Sequence, residues 1–516
     1  MAGPFSFLAA ALSSWGAAVL LGFELMILYL FLLAVYNLFF HPLRKYPGPW
    51  WYAVSRLPYT IEIFRGTVTW TVKEMHMKYG HVVRIAPDTL SFTTSEAWQD
   101  IYGFRQSSTG RGNIPKDPIS YLSAGDAVDT ISSAKDDNQH RRLRRIQSHA
   151  FSDKALVLQE DYLHQYTSLF IKKLREQVEK VTGTDSGAAT VNFSKWINFL
   201  TTDIIGDLSF GESFGGLDKG ETHPWLDTVF WTLKAFTYLR ELYRYPLLPM
   251  GAILACIPKK MVKHREEALS FGAKAASRRM AMVTDRPDFM SYILKNAQGE
   301  KGMSRLEIEA SAIVFIIAGS ETTATMMAGT LYMLCKYPAA LRTLTETIRA
   351  EFASPSELTL VKLQHQEYLN AVINEGLRLY PPAPDSLFRR TKDQGAFVAG
   401  HFVPPNTSVC INLLAAHRHP LNFHRPDEMV PERWLKPCPP EFENDDRSVV
   451  KPFSIGPRDC LGKNLAWAEM RMILAYMVWH FDFEMVPETE GWIERQKVFM
   501  LWQKSDLAVK VSLREF

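Results

Sequence analysis

Phe453-Ser-Ile-Gly456-Pro-Arg458-Asp-Cys460-Leu-Gly462 is the stretch on which the reading of this chain turns. A loop carrying two glycines delivers one cysteine to the start of an apolar-periodic run, with Leu461, Leu465, Ala466 and Met470 on the helical repeat. A thiol at a helix start gains from unpaired N–H groups and the helix dipole, and Arg458 adds positive charge. Both effects are expected to lower the thiol pKa, which suits a metal ligand or a nucleophile. Gly456 and Gly462 are expected to let backbone approach a flat, bulky cofactor. Zinc finds no support, because no second cysteine lies two to four residues from Cys460. A phosphate-binding loop fails twice. Five residues separate Gly456 from Gly462, and Asn464 stands where Ser or Thr would hold magnesium. Cys256, Cys335 and Cys410 read as small buried hydrophobes, and Cys438 as a free thiol in a Pro-rich loop.

This ten-residue pattern resembles the haem-binding loop of cytochromes P-450, with Phe453, Gly456, Arg458, Cys460 and Gly462 at all five signature positions. The resemblance implies haem b (iron protoporphyrin IX) with Cys460 as its axial thiolate and metal ligand. It further implies Arg458 on a haem propionate and Phe453 packed near the sulfur. The fold implied is the cytochrome P-450 fold, mainly α with small β-sheets.

Upstream, Ser304-Arg-Leu-Glu307 is a capping box opening a long helix that Pro338 ends. Ala312 to Ala318 is apolar all round, as in a helix crossing a core. Then comes the polar patch Ala318-Gly319-Ser320-Glu321-Thr322-Thr323. Ala318 and Thr322 share a face, and the small Ala318 and Gly319 are expected to leave room beside the helix. Taken alone, the patch also reads as a helix-helix Ser/Thr cluster. By resemblance to the family's oxygen-binding helix, Ala318 and Gly319 would border the cofactor. Thr322 and Glu321 would position water and relay protons, with Glu321 behind Thr322.

Glu375-Gly-Leu-Arg378 and Arg433 in Pro431-Glu-Arg-Trp434 resemble the family's Glu-x-x-Arg element and its third member, a structural support for the haem pocket. In the basic run His140 to Arg145, His140 holds the place of a family Trp and Arg144 that of an Arg reaching the propionates. Arg389 resembles another propionate partner, with Arg390 beside it as the alternative. Asp385, Ser386 and Phe315 are candidate substrate contacts; Asp385 also reads as a turn residue bonding its own backbone. His417, His419 and His424 are read as loop and core histidines.

Working outward, the 516 residues are 47% apolar and 12% aromatic, which excludes disorder. A net charge of +3, from 58 basic and 55 acidic residues, gives no reason to expect nucleic acid as a partner. Five cysteines cannot make a disulfide framework, so a reduced compartment is expected. From Phe5 to Phe40 the one charged residue is Glu24. As a helix this run would measure roughly 54 Å against a bilayer core of about 30 Å, so the best single span is about Gly22 to Phe40. Arg44, Lys45 and Arg56 follow it and no Lys or Arg precedes it, which is expected to leave the rest in the cytosol. A cleaved secretory peptide fits worse, lacking a basic start. The expected organisation is a membrane anchor at 1–42 and a haem domain at 43–516, single-pass in the endoplasmic reticulum membrane. Lys45-Tyr-Pro-Gly-Pro49 reads as a linker. Helical patterns cover about 140–180, 225–245, 261–282, 304–337, 362–379 and 461–480, with β-prone pieces at 82–85, 396–398 and 507–511.

The segment Tyr36 to Pro49 looks like that of fungal family members active in secondary metabolism, such as trichothecene hydroxylases. The resemblance implies insertion of one oxygen atom from O2 into an apolar small-molecule substrate. Electrons would come from a separate NADPH-cytochrome P-450 reductase, with cytochrome b5 as an optional second donor. Lys451, Lys463 and part of Arg141–Arg145 would form the docking face. A haem-thiolate isomerase or dehydratase that does not use O2, and a non-catalytic haem-binding membrane protein, are the rival readings. Expected pocket regions are 105–125, 199–212, 315–320, 383–388 and 498–501.

Overall fold

The computed structural model describes residues 4–104, 113–121, 128–182, 187–246, 248–255, 257–297, 299 and 302–514. The first helix, Pro4–Val35, continues through a π-turn at Tyr36–Phe40. The run Ala17–Phe40 has a mean hydropathy of 2.5 and its apolar stretch is exposed from ahead of Gly22, while at its end Asn37 is buried, donating to the Val54 carbonyl and accepting from Arg84, each at 2.9 Å. His41 then turns extended and Pro42 opens a short 3-10 turn. The Lys45–Pro49 segment differs from the free linker expected. The Arg84 N–H donates to the Pro47 carbonyl at 2.8 Å, and a Cβ on Gly48 would stand 2.5 Å from the Arg84 carbonyl oxygen. The chain is therefore pinned to the first strand as soon as it leaves the helix.

The centre of the body is the helix Arg305–Lys336, opened by the Ser304/Glu307 capping box and buried along most of its length. Two thirds of its most apolar window is buried, which marks it as a core helix although it is long enough to span a membrane. It packs against Phe193–Phe210, Lys259–Ala281, Glu367–Leu379 and Lys463–His480. Pro338 does more than stop it, since Pro338 is also the first residue of the next helix, Pro338–Glu351.

Two expected helices are broken. The 140–180 pattern divides into Asp137–Gln147, a 3-10 turn at Ser148–Phe151, and Asp153–Thr182. Ser152 caps the second helix, its Oγ accepting from the Ala155 N–H. The 362–379 pattern divides into Leu360–Leu363 and Glu367–Leu379.

The strands, in chain order, are β1 Val82–Ala86, β2 Thr89–Phe92, β3 Ala188–Asn192, β4 Arg389–Arg390, β5 Ala396–Val398, β6 His401–Val403, β7 Ser408–Ile411, β8 Phe481–Met485, β9 Lys497–Phe499, β10 Leu501–Gln503 and β11 Ala508–Leu513. The largest sheet has the order β1-β2-β7-β4, with β2 and β7 parallel and the other pairs antiparallel. β11 sits between β3 and β8, and the pairs β5–β6 and β9–β10 are hairpins. A mainly helical body with small sheets is what the sequence predicts.

Candidate functional site

Cys460 lies in the extended segment ahead of Lys463–His480, with Gly462 as the N-cap, so it precedes the helix by two residues more than expected. The Cys460 N–H donates to the Phe453 carbonyl at 2.9 Å, closing the loop on itself. The thiol is solvent-accessible, and protein atoms crowd around it. That crowding pushes its pKa up and outweighs the lowering by the Gly462 N–H, Arg144 and Lys463. The lowered pKa expected from the helix dipole is therefore not what the protein alone produces.

The two glycines of the loop differ. Gly456 has φ +78°, and a Cβ there would stand 2.1 Å from the Tyr102 carbonyl oxygen, so it lets the loop approach the end of the Ser95–Tyr102 helix. This corrects the expectation that Gly456 makes room for a cofactor. Gly462 has only Phe151 within 4 Å, at 3.9 Å, and keeps the expected open side. Phe453 is half-buried, 6.5 Å from the Trp467 ring.

On the central helix Ala318 is exposed and Thr322 partly so, on a face otherwise flanked by buried residues. Thr322 Oγ1 donates back to the Ala318 carbonyl at 2.5 Å. Gly319 is a correction. A Cβ on it would meet Ile205 Cδ1 at 2.5 Å, so its smallness serves packing against Phe193–Phe210. Phe315 is another, because it stacks edge-on with Phe151 at 5.4 Å and Phe289 at 6.0 Å inside the core. Glu321 points away to a different partner, its carboxylate taking the Lys504 ammonium, which also donates to Thr325 Oγ1 at 2.7 Å. Both members of that pair are only 5% exposed.

Beside the cysteine loop the structure gathers cations. Arg458 donates to the Ala134 carbonyl at 2.7 Å and to Asp137 at 2.8 Å. Together with Arg389, Tyr102, Asn113 and Asp137 it lines a small crevice. Arg389 is buried over the Tyr102 ring at 5.5 Å, and its Nε has no hydrogen-bond partner among the described residues. Arg390, the alternative, is taken elsewhere, by Asp88 at 3.0 Å and Asp117 at 3.1 Å. Lys116 joins the group. Burial first, then Arg458 and Arg389, push its pKa down to about 6. His140 is buried nearby and held down to about 3 by desolvation, Arg458, Lys116 and Arg144. Arg144 itself grips Asp459, by the backbone carbonyl at 2.6 Å and the carboxylate at 2.5 Å, next to Cys460.

Arg389, with its orphaned buried nitrogen, and Arg458, beside a lysine and a histidine whose charge they help suppress, fit a group that brings anions to the same edge. The two carboxylates of haem meet that requirement, and an accessible thiol with a small-residue face on the central helix suits its flat body and iron. Sequence reasoning missed Lys116 and Lys504. The only trace of Lys116 is a lysine in the stiff run Ile114-Pro-Lys-Asp-Pro118, and Lys504 carries no local signal, since its partners lie about 180 residues upstream.

The supporting triad is buried completely. Arg378 donates to both Glu375 oxygens at 2.7 and 2.8 Å, Arg433 Nε reaches Glu375 at 3.1 Å, and Trp434 Nε1 adds a bond at 2.8 Å. Arg378 also ties down the carbonyls of His417 and Glu428, at 2.9 and 3.0 Å. Asp385 is held by Arg240 at 2.5 Å, and its other oxygen takes the Ser386 N–H at 2.7 Å. The carboxylate expected to meet substrate is thus already committed, and the turn-like bond to its own backbone is present. The expected pocket loop at 105–125 falls largely outside the described residues. His417, His419 and His424 make no metal cluster among the described residues.

The cytochrome P450 family model matches residues 46–511. Among curated relatives, cytochrome P450 monooxygenase aclL of Aspergillus oryzae is 42% identical over 92% of this chain and 94% of its own length. Trichothecene C-15 hydroxylase of Fusarium sporotrichioides is 40% identical over 93% of this chain and 95% of its own. Averantin hydroxylase of Dothistroma septosporum is 38% identical over 96% and 92%. With its accessible loop cysteine and the cationic edge beside it, and with these matches along nearly its whole length, the chain belongs to the cytochrome P450 family of monooxygenases.

Proposed function

We propose that the protein is an O2-dependent haem-thiolate monooxygenase, acting on an apolar small molecule in a fungal secondary-metabolite pathway. Cys460 would hold the iron, and Arg458, Arg389 and Lys116 would receive the propionates. His140 would line the same edge as a neutral ring. Haem, when bound, supplies oxygen activation at a thiolate-ligated iron. The chain's own work is positional. Ala318 keeps one helix face low, Thr322 Oγ1 presents a hydroxyl on that face, and Glu321 holds a carboxylate one residue away for proton movement. Glu375, Arg378 and Arg433 brace the loops on the other side without taking part in the chemistry.

Electrons would arrive from NADPH through a separate cytochrome P-450 reductase, with cytochrome b5 as an optional donor. Exposed Lys463, Arg141 and Arg145 and half-buried Lys451 would receive it. The exposed apolar run Ala17–Phe40 supports an anchor in the endoplasmic reticulum membrane with the body in the cytosol.

The observation that carries the reading is the pair Arg389 and Arg458, with the buried Lys116 amine beside them, next to an accessible thiol in the family's loop. The test is the spectrum of the reduced, CO-bound protein followed by NADPH-driven turnover with reductase. A thiolate-type Soret shift is expected, and Cys460→Ser should abolish both the shift and turnover. Full haem content and turnover in Cys460→Ser would sink the reading.

A further inference from the structure

The long apolar run ends on a side chain that is foreign to lipid. Between Glu24 and His41 its one amide is Asn37, which is 5% exposed, whereas Tyr36, Phe39 and Phe40 around it are 46%, 60% and 67% exposed. An amide is costly in an apolar setting unless it is bonded, and here it is. Asn37 Nδ2 donates at 2.9 Å to the carbonyl of Val54, the last residue of the Trp50–Val54 helix. The Asn37 carbonyl lies in the last turn, where a helix leaves its acceptors unpaired, and it accepts from Arg84 Nη1 at 2.9 Å. Arg84 is buried in β1, and its Nε and Nη2 both donate to the Pro87 carbonyl, at 3.1 and 2.7 Å. One guanidinium thus ties the helix end to the β1–β2 turn, and its planar fork fixes the angle between them.

The chain that leaves the helix has no slack. The His41 N–H closes on the Tyr36 carbonyl at 2.8 Å, and His41 Nδ1 accepts the Leu43 N–H at 3.1 Å. Arg44 Nη1 donates back to the Phe39 carbonyl at 2.5 Å, a second cation on the same helix end. Leu43 is buried, and the Tyr46 hydroxyl donates to the Phe402 carbonyl of β6 at 2.7 Å. No glycine lies between Gly22 and the pinned Gly48. Trp50 and Trp51 follow at once, edge-on at 5.7 Å and both exposed. They stand on the same short helix whose Val54 carbonyl holds Asn37, so these rings and those of Tyr36, Phe39 and Phe40 belong to one packed corner. Indole rings concentrate at the headgroup level of membranes.

We infer that Asn37 and Arg84 lock the anchor to the body as one rigid piece, and that the lock holds the body on the lipid surface at a single tilt, with Trp50 and Trp51 at the headgroups. This rests on the proposed function, since it supposes that Ala17–Phe40 enters a membrane. The partner of the corner is the bilayer that the anchor itself enters, because the exposed rings continue the apolar run and lie on the element packed against its end. A span joined through a free linker lets the body roll over the bilayer. A span joined through a buried arginine carries the body at the angle the span itself takes, and interfacial tryptophans help to set that angle.

The test places the full-length, haem-loaded protein in oriented phosphatidylcholine bilayers, where polarised absorption of the Soret band reads the angle of the haem plane. A single angle is expected for the unsubstituted protein. Arg84→Met and Asn37→Leu should each lose it and give a broad distribution, while still floating with phosphatidylcholine vesicles. Thermal melting and the CO spectrum check that each variant is folded and loaded. If Arg84→Met fails that check, Asn37→Leu, which alters only the helix end, decides. In the haem-free protein, lipid brominated close to the headgroup should quench part of the tryptophan emission, and Trp50→Phe with Trp51→Phe should remove that part. A broad distribution in the unsubstituted protein, or the same single angle in every folded lock variant, would overturn the inference. So would equal quenching with and without the two tryptophans. Failure of the unsubstituted protein to float with the vesicles would instead defeat the anchor reading itself.

Discussion

Glu469 lies fully buried on Lys463–His480, where Thr323 Oγ1 of the central helix donates to one oxygen at 2.8 Å and the other has no partner among the described residues. Burial pushes its pKa up to about 8. A carboxyl that keeps its proton to about pH 8 when folded, and loses it in the ordinary carboxylate range when unfolded, makes the folded state bind the proton more tightly. Stability contributed at this position is therefore whole at acid pH and declines as pH rises toward 8. Glu469→Gln, a neutral isostere, is expected to match the parent in melting temperature near pH 5 and to exceed it by several degrees near pH 8. Parallel pH profiles for the two would refute this. The Glu469–Thr323 contact was invisible in the sequence, as was Lys504 on Glu321, because each joins residues well over a hundred positions apart. The Glu375–Arg378 contact and the self-closed Cys460 loop are legible because their members lie within a few residues, whereas Arg458 meets Ala134 and Asp137 more than three hundred positions upstream.

The capping box and apolar middle mark the long central helix in the sequence, but two residues that the pattern places at the site, Gly319 and Phe315, serve packing in the structure. The reason is angular: Ala318 and Thr322 share one face, while Gly319 turns toward Ile205 and Phe315 toward Phe151 and Phe289. Periodicity says which residues share a face and leaves open what each face meets. This gives a paired expectation. Gly319→Leu should wedge the central helix from Phe193–Phe210 and destabilise the fold by about 1–3 kcal/mol. Ala318→Val, on the accessible face, should leave the melting temperature nearly unchanged and alter the spectral response to apolar ligands. Equal destabilisation by both would show that the faces are misassigned. The divided 140–180 helix has a similar lesson, since the cap at Ser152 marks a new helix start inside a stretch whose pattern reads as continuous.

Across the whole molecule, Tyr102 touches parts of the chain that are otherwise remote. Its hydroxyl donates to the Leu387 carbonyl at 2.7 Å and accepts the Ile411 N–H at 3.2 Å, Arg389 covers its ring, and Gly456 of the cysteine loop lies against its carbonyl. No one of these segments can settle while another is out of place. The cysteine loop, β4 and β7 should accordingly resist cleavage as one cooperative unit. Limited proteolysis of the haem-free and haem-loaded protein is expected to show cuts near 103–104, 385–390 and 453–460 disappearing together on loading. With Tyr102→Phe, which loses the two hydrogen bonds and keeps the ring, protection of the first two stretches should lag behind that of the cysteine loop. A tyrosine with no part in the chemistry would then set the order in which the pocket closes around its cofactor.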